Sequence, residues 1–131
     1  MKAVSGTDAT GKPRHGPFQD HFRNGRLSCE GRFDHGKKTG EWKYYLANGQ
    51  LKAIGHYEGD RIVGAWRWYR ENGELMQTGE FDGEEKKHGI WRRYHPNGKL
   101  MDEGRFEHGR KIGTWKTFGP DGSLTTEKDF K

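Results

Sequence analysis

An aromatic residue returns at a fixed interval along most of this chain. Phe18, Trp42, Trp66, Trp91 and Trp115 stand 24, 24, 25 and 24 residues apart. Four more columns keep the same period. Glycine lies two residues before each aromatic (Gly16, Gly40, Gly64, Gly89, Gly113). Asn-Gly or Asp-Gly follows it (Asn24-Gly25, Asn48-Gly49, Asn72-Gly73, Asn97-Gly98, Asp121-Gly122). Leucine comes two residues after that glycine (Leu27, Leu51, Leu75, Leu100, Leu124), and a second aromatic six residues later (Phe33, Tyr57, Phe81, Phe106, Phe130). A period of roughly 20–50 residues is the mark of an array built from one supersecondary unit. The units run about 16–39, 40–63, 64–88, 89–112 and 113–131, and the one extra residue falls between Phe81 and Gly89. Residues 1–14 match no unit and are expected to form a flexible leader.

The unit reads as a β-hairpin. Asn-Gly between short aromatic-rich runs suits a two-residue type I′ turn, whose central residues both need positive φ. That turn fixes a register. It sets Arg93 against Asp102, Arg92 against Glu103 and Thr117 against Thr126, pairs of the kind that cross-strand neighbours favour. It also sets Phe18, Trp42, Trp66 and Trp91 against Gly31, Gly55, Gly79 and Gly104, as rings covering bare backbone. Only the last unit departs, with Lys128 in the glycine slot. The predicted fold is all-β: a single-layer, elongated, twisted antiparallel meander of five tandem β-hairpin repeats. Ten strands at ~4.8 Å each would make a sheet roughly 45–50 Å long.

Alternation along the strands assigns two faces. The Trp, Leu and Phe/Tyr columns share an apolar face with the small glycines. The other face carries Lys43, Arg67, Arg92 and Lys116, with Tyr45, Tyr69, Tyr94 and Phe118 beside them. Met76 and Met101 are expected opposite Tyr69 and Tyr94. Such a sheet cannot cover both of its faces, which is consistent with a composition only 29% hydrophobic but 13% aromatic. Aromatic surface rimmed by charge marks interaction sites. The candidate contact residues are Tyr44, Tyr45, Arg67, Trp68, Tyr69, Met76, Arg92 and Tyr94. Variation between units at Tyr44, Trp68 and Arg93, and at Ile54 and Thr78, is where such an array would encode one partner.

Other chemistries are disfavoured. The seven histidines are scattered, Cys29 has no second thiol, and no phosphate-cradling glycine loop is present. No catalytic residue, cofactor or metal ligand is expected; His35 and His108 share one loop slot and read as turn residues. The basic column with its tyrosines has the ingredients of a nucleic-acid platform, but the acidic column Asp34, Glu58, Asp82, Glu107 and the pairing of Glu103 and Glu127 argue for a balanced surface. The loop cations Lys37, Lys38, Arg61, Lys86, Lys87, Arg110 and Lys111 offer an alternative, binding to anionic lipid headgroups. The net charge of +5 weakly favours an acidic partner. The N-terminus has no signal-peptide core, which implies a cytoplasmic chain, or a periplasmic one if a leader has been removed.

The pattern Gly-x-Trp-x-x-Tyr-x-x-Asn-Gly-x-Leu followed by Gly-x-Tyr/Phe resembles the MORN-variant repeat of the YwqK-type antitoxin family. Gly40, Trp42, Tyr45, Asn48, Gly49, Leu51, Gly55, Tyr57, Gly59 and Gly64 form a near-complete instance. The resemblance covers residues 15–130 and departs at Phe18, His21 and Lys128. It implies a single-layer sheet of hairpins without catalytic residues. It also implies a protein partner: a cognate toxin or effector that the chain, as an antitoxin or immunity protein, would neutralise sterically. A membrane-associated scaffold is the competing reading. Whether the free edges pair two chains is left open by the sequence.

Overall fold

The computed structural model describes residues 4–131. Ten strands form one antiparallel sheet in strict sequence order. They are β1 (Gly16–His21), β2 (Leu27–Asp34), β3 (Lys37–Tyr45), β4 (Leu51–Glu58), β5 (Arg61–Tyr69), β6 (Leu75–Phe81), β7 (Lys87–Tyr94), β8 (Leu100–Glu107), β9 (Arg110–Phe118) and β10 (Leu124–Phe130). Among the described residues there is no helix. The hairpin register expected from the sequence is present, including Trp42 opposite Gly55, Arg93 opposite Asp102 and Thr117 opposite Thr126.

The turns differ from expectation. Asn48-Gly49 does not form a two-residue turn. Gly49 N donates to Leu46 O at 2.9 Å and Leu46 N to Gln50 O at 2.8 Å, which closes a three-residue loop. Gly49 has φ 91°, whereas Asn48 keeps a negative φ. This is a type I turn followed by a left-handed glycine. Asn48 Oδ1 accepts the Gln50 N–H at 2.9 Å, and its counterparts at Asn24, Asn72, Asn97 and Asp121 do the same. The extra loop residue moves the register by one. A bulge at the residue after each leucine moves it back: Tyr45 pairs with Leu51, but Tyr44 pairs with Ala53. The two shifts cancel, so the body of the hairpin keeps the expected pairs. The true two-residue turns lie between hairpins. His35-Gly36, Gly59-Asp60 and His108-Gly109 all have positive φ at both positions.

One consequence corrects the faces. Leu27, Leu51, Leu75, Leu100 and Leu124 pair with His21, Tyr45, Tyr69, Tyr94 and Phe118, so the leucine column leaves the tryptophan face. Met76 and Met101 are the bulge residues and do not oppose Tyr69 and Tyr94.

The tryptophans make the core. Rings alternate edge to face along the sheet: Phe33–Trp42 at 5.1 Å, Tyr57–Trp66 at 5.3 Å, Phe81–Trp91 at 5.2 Å and Phe106–Trp115 at 5.0 Å. Each indole lies on the glycine of the preceding unit, not on its own cross-strand partner. A Cβ added at Gly31, Gly55, Gly79 or Gly104 would meet Trp42, Trp66, Trp91 or Trp115 at 1.9–2.2 Å. Each indole N–H donates to a carbonyl beside that glycine, as Trp42 Nε1 does to Arg32 O at 3.1 Å and Trp66 Nε1 to His56 O at 3.2 Å. No tryptophan lies on the corresponding slot of the fifth unit, and there Lys128 stands where the others need glycine.

The aromatic face therefore closes on itself. Trp42, Trp66 and Trp91 are buried, and among the described residues Ile90 and Leu124 are the exposed large hydrophobics. This corrects the expectation of an uncovered aromatic face. At ~25 cal/mol per Å² and roughly 200 Å² per ring, each buried indole contributes about 5 kcal/mol of transfer free energy before ordering costs. Lysines complete the cover. Lys38 Nζ lies 5.2 Å from the Trp42 ring, Lys87 Nζ 4.8 Å from Trp91 and Lys111 Nζ 4.7 Å from Trp115. Burial lowers the Lys38 pKa, and the nearby Asp60 partly offsets this. Ile62 takes the lysine slot before Trp66.

Residues 1–3 of the expected leader lie outside the described residues. Residues 4–14 are not a repeat unit, and they contact the first hairpin. Thr7 bridges Pro13, Arg14 N donates to Gly6 O at 2.7 Å, and Gly36 N donates to Arg14 O at 2.7 Å. Val4 packs against the core, and the Arg14 guanidinium sits 4.6 Å from the Phe18 ring centre. The segment covers the first unit on the side where each later unit has a preceding hairpin.

Candidate interaction face

Two rows of side chains cross the whole sheet, one on each face. On the aromatic face, next to the tryptophans, run Asp20, Cys29, Tyr44, Ala53, Trp68, Gln77, Arg93, Asp102, Thr117 and Thr126, each paired with the next. The row is apolar from Cys29 to Trp68 and polar afterwards, so the continuous core sits in the first three units.

Tyr44 and Trp68 belong to this row. Tyr44 is buried and its hydroxyl meets that of Tyr57 at 2.8 Å. Burial, then that hydrogen bond, raises the Tyr44 pKa. Trp68 stacks between Trp66 and Trp91, at 6.0 and 5.7 Å. Cys29 is buried and its thiol pKa is raised, first by desolvation and then by Asp20. That suits a packing residue rather than a nucleophile. Arg93 clasps Asp102 with Nε at 3.0 Å from Oδ2, and this bond raises the arginine's pKa.

The other face carries the second row: Gln19, Glu30, Lys43, Ile54, Arg67, Thr78, Arg92, Glu103, Lys116 and Glu127. Its ends alternate in charge. Glu30 stands opposite Lys43, and Arg92 Nε contacts Glu103 Oε2 at 3.0 Å. The middle is different. Arg67 is exposed and has Ile54 on one side and Thr78 on the other, with no ion pair among the described residues.

Beside this row runs the Tyr/Leu row. Tyr45, Tyr69 and Tyr94 pair with Leu51, Leu75 and Leu100, and all six are half-buried. Tyr45 Oη donates to Glu30 Oε2 at 2.6 Å; burial, then this contact, pushes its pKa up to about 12. Of the eight residues singled out from the sequence, Tyr45, Arg67, Tyr69, Arg92 and Tyr94 come together here. Tyr44 and Trp68 lie on the opposite face, and Met76 sits in the bulge. Sequence reasoning missed Leu75 and Leu100 as neighbours of the tyrosines. The signal was present: Pro96 and Pro120 stand just before Asn97-Gly98 and Asp121-Gly122, the second position of a type I turn.

The loop cations expected to form one basic edge are divided. Lys38, Lys87 and Lys111 cover the aromatic row. Lys37, Arg61 and Arg110 pair across the turns with Asp34, Glu58 and Glu107.

The repeat geometry agrees with the family comparison. Residues 38–58, 62–82 and 87–108 match the family described as MORN repeat variant. Three of the five hairpins are MORN-variant repeats. Each matched segment spans one hairpin, from the strand that carries Trp42, Trp66 or Trp91 to the end of the strand that carries Gly55, Gly79 or Gly104, or one residue past it. Among curated proteins, none matches the sequence. One solved structure with a similar trace is a mutant of S. aureus TarM in complex with fondaparinux, alpha-GlcNAc-glycerol and UDP. It has a TM-score of 0.44 and 8% identity, covering 83% of this chain and 20% of that one. The MORN-variant chain thus spans about a fifth of that protein, and a likeness this distant carries no functional argument. MORN repeats are generally protein- or lipid-binding modules, and the fold is of a kind that is typically not catalytic.

Proposed function

We propose that this MORN-variant chain is a protein-binding module that docks its partner on the charged face, centred on Arg67. The supporting observation is the middle of the charged row. Arg67 stands between neutral neighbours and beside Tyr69, with Tyr45 and Tyr94 two strands away on either side, whereas the cations at the ends face carboxylates. Arginine and tyrosine are the residues that most often dominate interface energetics. An unpaired guanidinium favours a carboxylate on the partner. The resemblance of the repeats to the YwqK-type antitoxin family supports a reading in which that partner is a toxin or effector, neutralised sterically in the cytoplasm. The aromatic face is closed by its own rings and lysines and is not the docking surface.

The test is affinity capture from the native host lysate with the tagged chain, followed by expression of any stoichiometric partner. A partner that is toxic alone and harmless with this chain supports the full reading. A non-toxic partner lost on Arg67→Ala keeps the docking face and removes the antitoxin role. Enrichment of anionic lipid without protein overturns both and favours a membrane scaffold acting through Lys37, Arg61 and Arg110.

A further inference from the structure

Two histidine pairs stand on the rim formed by the inter-hairpin turns. The ring centres of His15 and His35 are 4.5 Å apart, and those of His88 and His108 are 4.8 Å apart. In each pair the backbone N–H of the turn histidine donates to Nδ1 of the other, at 3.1 Å and 3.4 Å. In each, a carboxylate oxygen lies 2.6 Å from Nδ1 of the turn histidine: Asp34 at His35 and Asp82 at His108. One ligand atom from each of His15, Asp34 and His35 lies within 4.8 Å of the others.

The two histidine slots are filled together. His15 and His88 each precede the glycine that opens a unit, and His35 and His108 stand in the turns that follow. Where the first slot holds Thr39, the turn slot holds Gly59. The turn position explains its own histidine, because φ is 48° at His35 and 46° at His108, and histidine is among the few side chains that accept this. It does not explain the other. That slot otherwise takes the β-branched residues Thr39, Val63 and Ile112, which suit an extended chain.

Two imidazoles and a carboxylate are a donor set for a borderline divalent transition ion. We infer that the rim binds Zn²⁺ or a cation of its class at His15, Asp34 and His35, and again at His88, Asp82 and His108, where the donor atoms stand farther apart and must close on the ion. Zinc bonds of about 2.0–2.2 Å set ligand atoms roughly 3.4 Å apart in a tetrahedron, so in the first trio Asp34 must part slightly from His35, now 2.6 Å away, and close on His15, now 3.8 Å away. Its side chains are free to rotate inward: His15, His35 and Asp34 expose 62%, 85% and 64% of their surface. The fourth position stays open to water or to a partner's side chain. His35 and His108, expected from the sequence to be turn residues only, then serve both roles.

The test is a ZnCl₂ titration of the whole chain by calorimetry, with MgCl₂ as control and histidine ring signals followed by NMR. Two equivalents of zinc per chain are expected, with no heat from magnesium and with perturbations at His15, His35, His88 and His108. Asparagine tolerates the same positive φ, so His35→Asn should keep the turn. It should remove one equivalent, and His35→Asn with His108→Asn both. No saturation at about 1 mM zinc overturns the inference, since that means affinity weaker than ~4 kcal/mol. Stoichiometry unchanged in the double variant, or signals moving instead at His21, His56 and His95, overturns it equally.

Discussion

Gly55→Ala tests the packing rule on which the array depends. The added Cβ would lie 1.9 Å from Cδ2 of Trp66 and 2.1 Å from Cε2. Carbon atoms rest about 3.5–4.0 Å apart, so the indole must withdraw by roughly 1.6 Å or more. Its N–H then loses the His56 carbonyl, now at 3.2 Å, at a cost of about 1 kcal/mol. Overpacking adds roughly 1–3 kcal/mol, and complete truncation of a buried tryptophan, about 3–5 kcal/mol, sets the ceiling. The expected loss is about 3–4 kcal/mol. Two control glycines separate this effect from backbone strain. Gly64 has open space around a Cβ but φ 66°, so Gly64→Ala should cost about 1–2 kcal/mol. Gly83 has neither obstacle, and Gly83→Ala should fall within about 0.5 kcal/mol of the parent. Urea unfolding followed by tryptophan fluorescence gives all three. Repeating Gly55→Ala in a Trp66→Leu background should recover at least ~1.5 kcal/mol as coupling. Equal costs at Gly55 and Gly83, or a coupling near zero, would refute the reasoning.

Further outcomes follow from the same geometry. Tyr44→Phe removes one hydroxyl of the 2.8 Å pair with Tyr57 and should cost about 1 kcal/mol in thermal or urea unfolding; a neutral result would mean that water replaces the bond. Asp82 is held down at about 2 by hydrogen bonds from His108, then from the backbone of Lys86 and Glu84. A depressed carboxylate contributes stability that is present above its ordinary value near 3.8 and lost as the pH falls through 2. Asp82→Asn should therefore flatten the fall of the urea midpoint between about pH 4 and pH 2, and an unchanged slope would remove Asp82 from the acid response. Arg67→Ala should leave the urea midpoint unchanged to within about 0.5 kcal/mol. It should weaken partner binding by about 2 kcal/mol or more in a calorimetric titration, and retained affinity would move the docking face elsewhere.

The period alone was enough to find ten strands, their order and the pairing in the body of each hairpin. What it hid was the local chemistry of the turns. Asn-Gly serves a type I′ turn and a type I turn with a left-handed glycine almost equally, and the two differ by one residue of register. The bulge after each leucine restored that residue and kept the error out of the strand pairs. It carried the leucines to the other face, however, and displaced Met76 from the tyrosine row. Side-chain direction was legible only as alternation. The reach of an indole back onto the preceding unit needs coordinates, although Lys128 was its trace: the glycine column breaks only where no tryptophan follows. The first eleven described residues were illegible for a different reason. Their cover over Phe18 is built once and repeats nowhere, so no period could reveal it.

That backward packing gives the array a direction, and the direction shapes both ends. Each unit offers a glycine to its successor and sets its tryptophan on its predecessor. At the start, Phe18 has no predecessor, and Val4 and Arg14 supply the missing contacts. At the finish, Lys128 occupies the glycine slot, with its ammonium 5.2 Å from the Phe130 ring centre. A sixth tryptophan, or the first unit of another copy, would meet a side chain there instead of bare backbone. The aromatic face is thus closed along its length and blocked at its growing end. The charged face has no such closure, and its row loses charge balance only around Arg67, the point farthest from both ends. A partner gripping several units there would bridge contacts that are otherwise made only between neighbours. It would make the array unfold as one body rather than unit by unit. Hydrogen exchange should show this directly. In the free chain, amide protection should fall toward β9 and β10, where side chains are most exposed. With partner bound, it should level across β3 to β8. Levelling confined to the turns would place the contact on the rim instead.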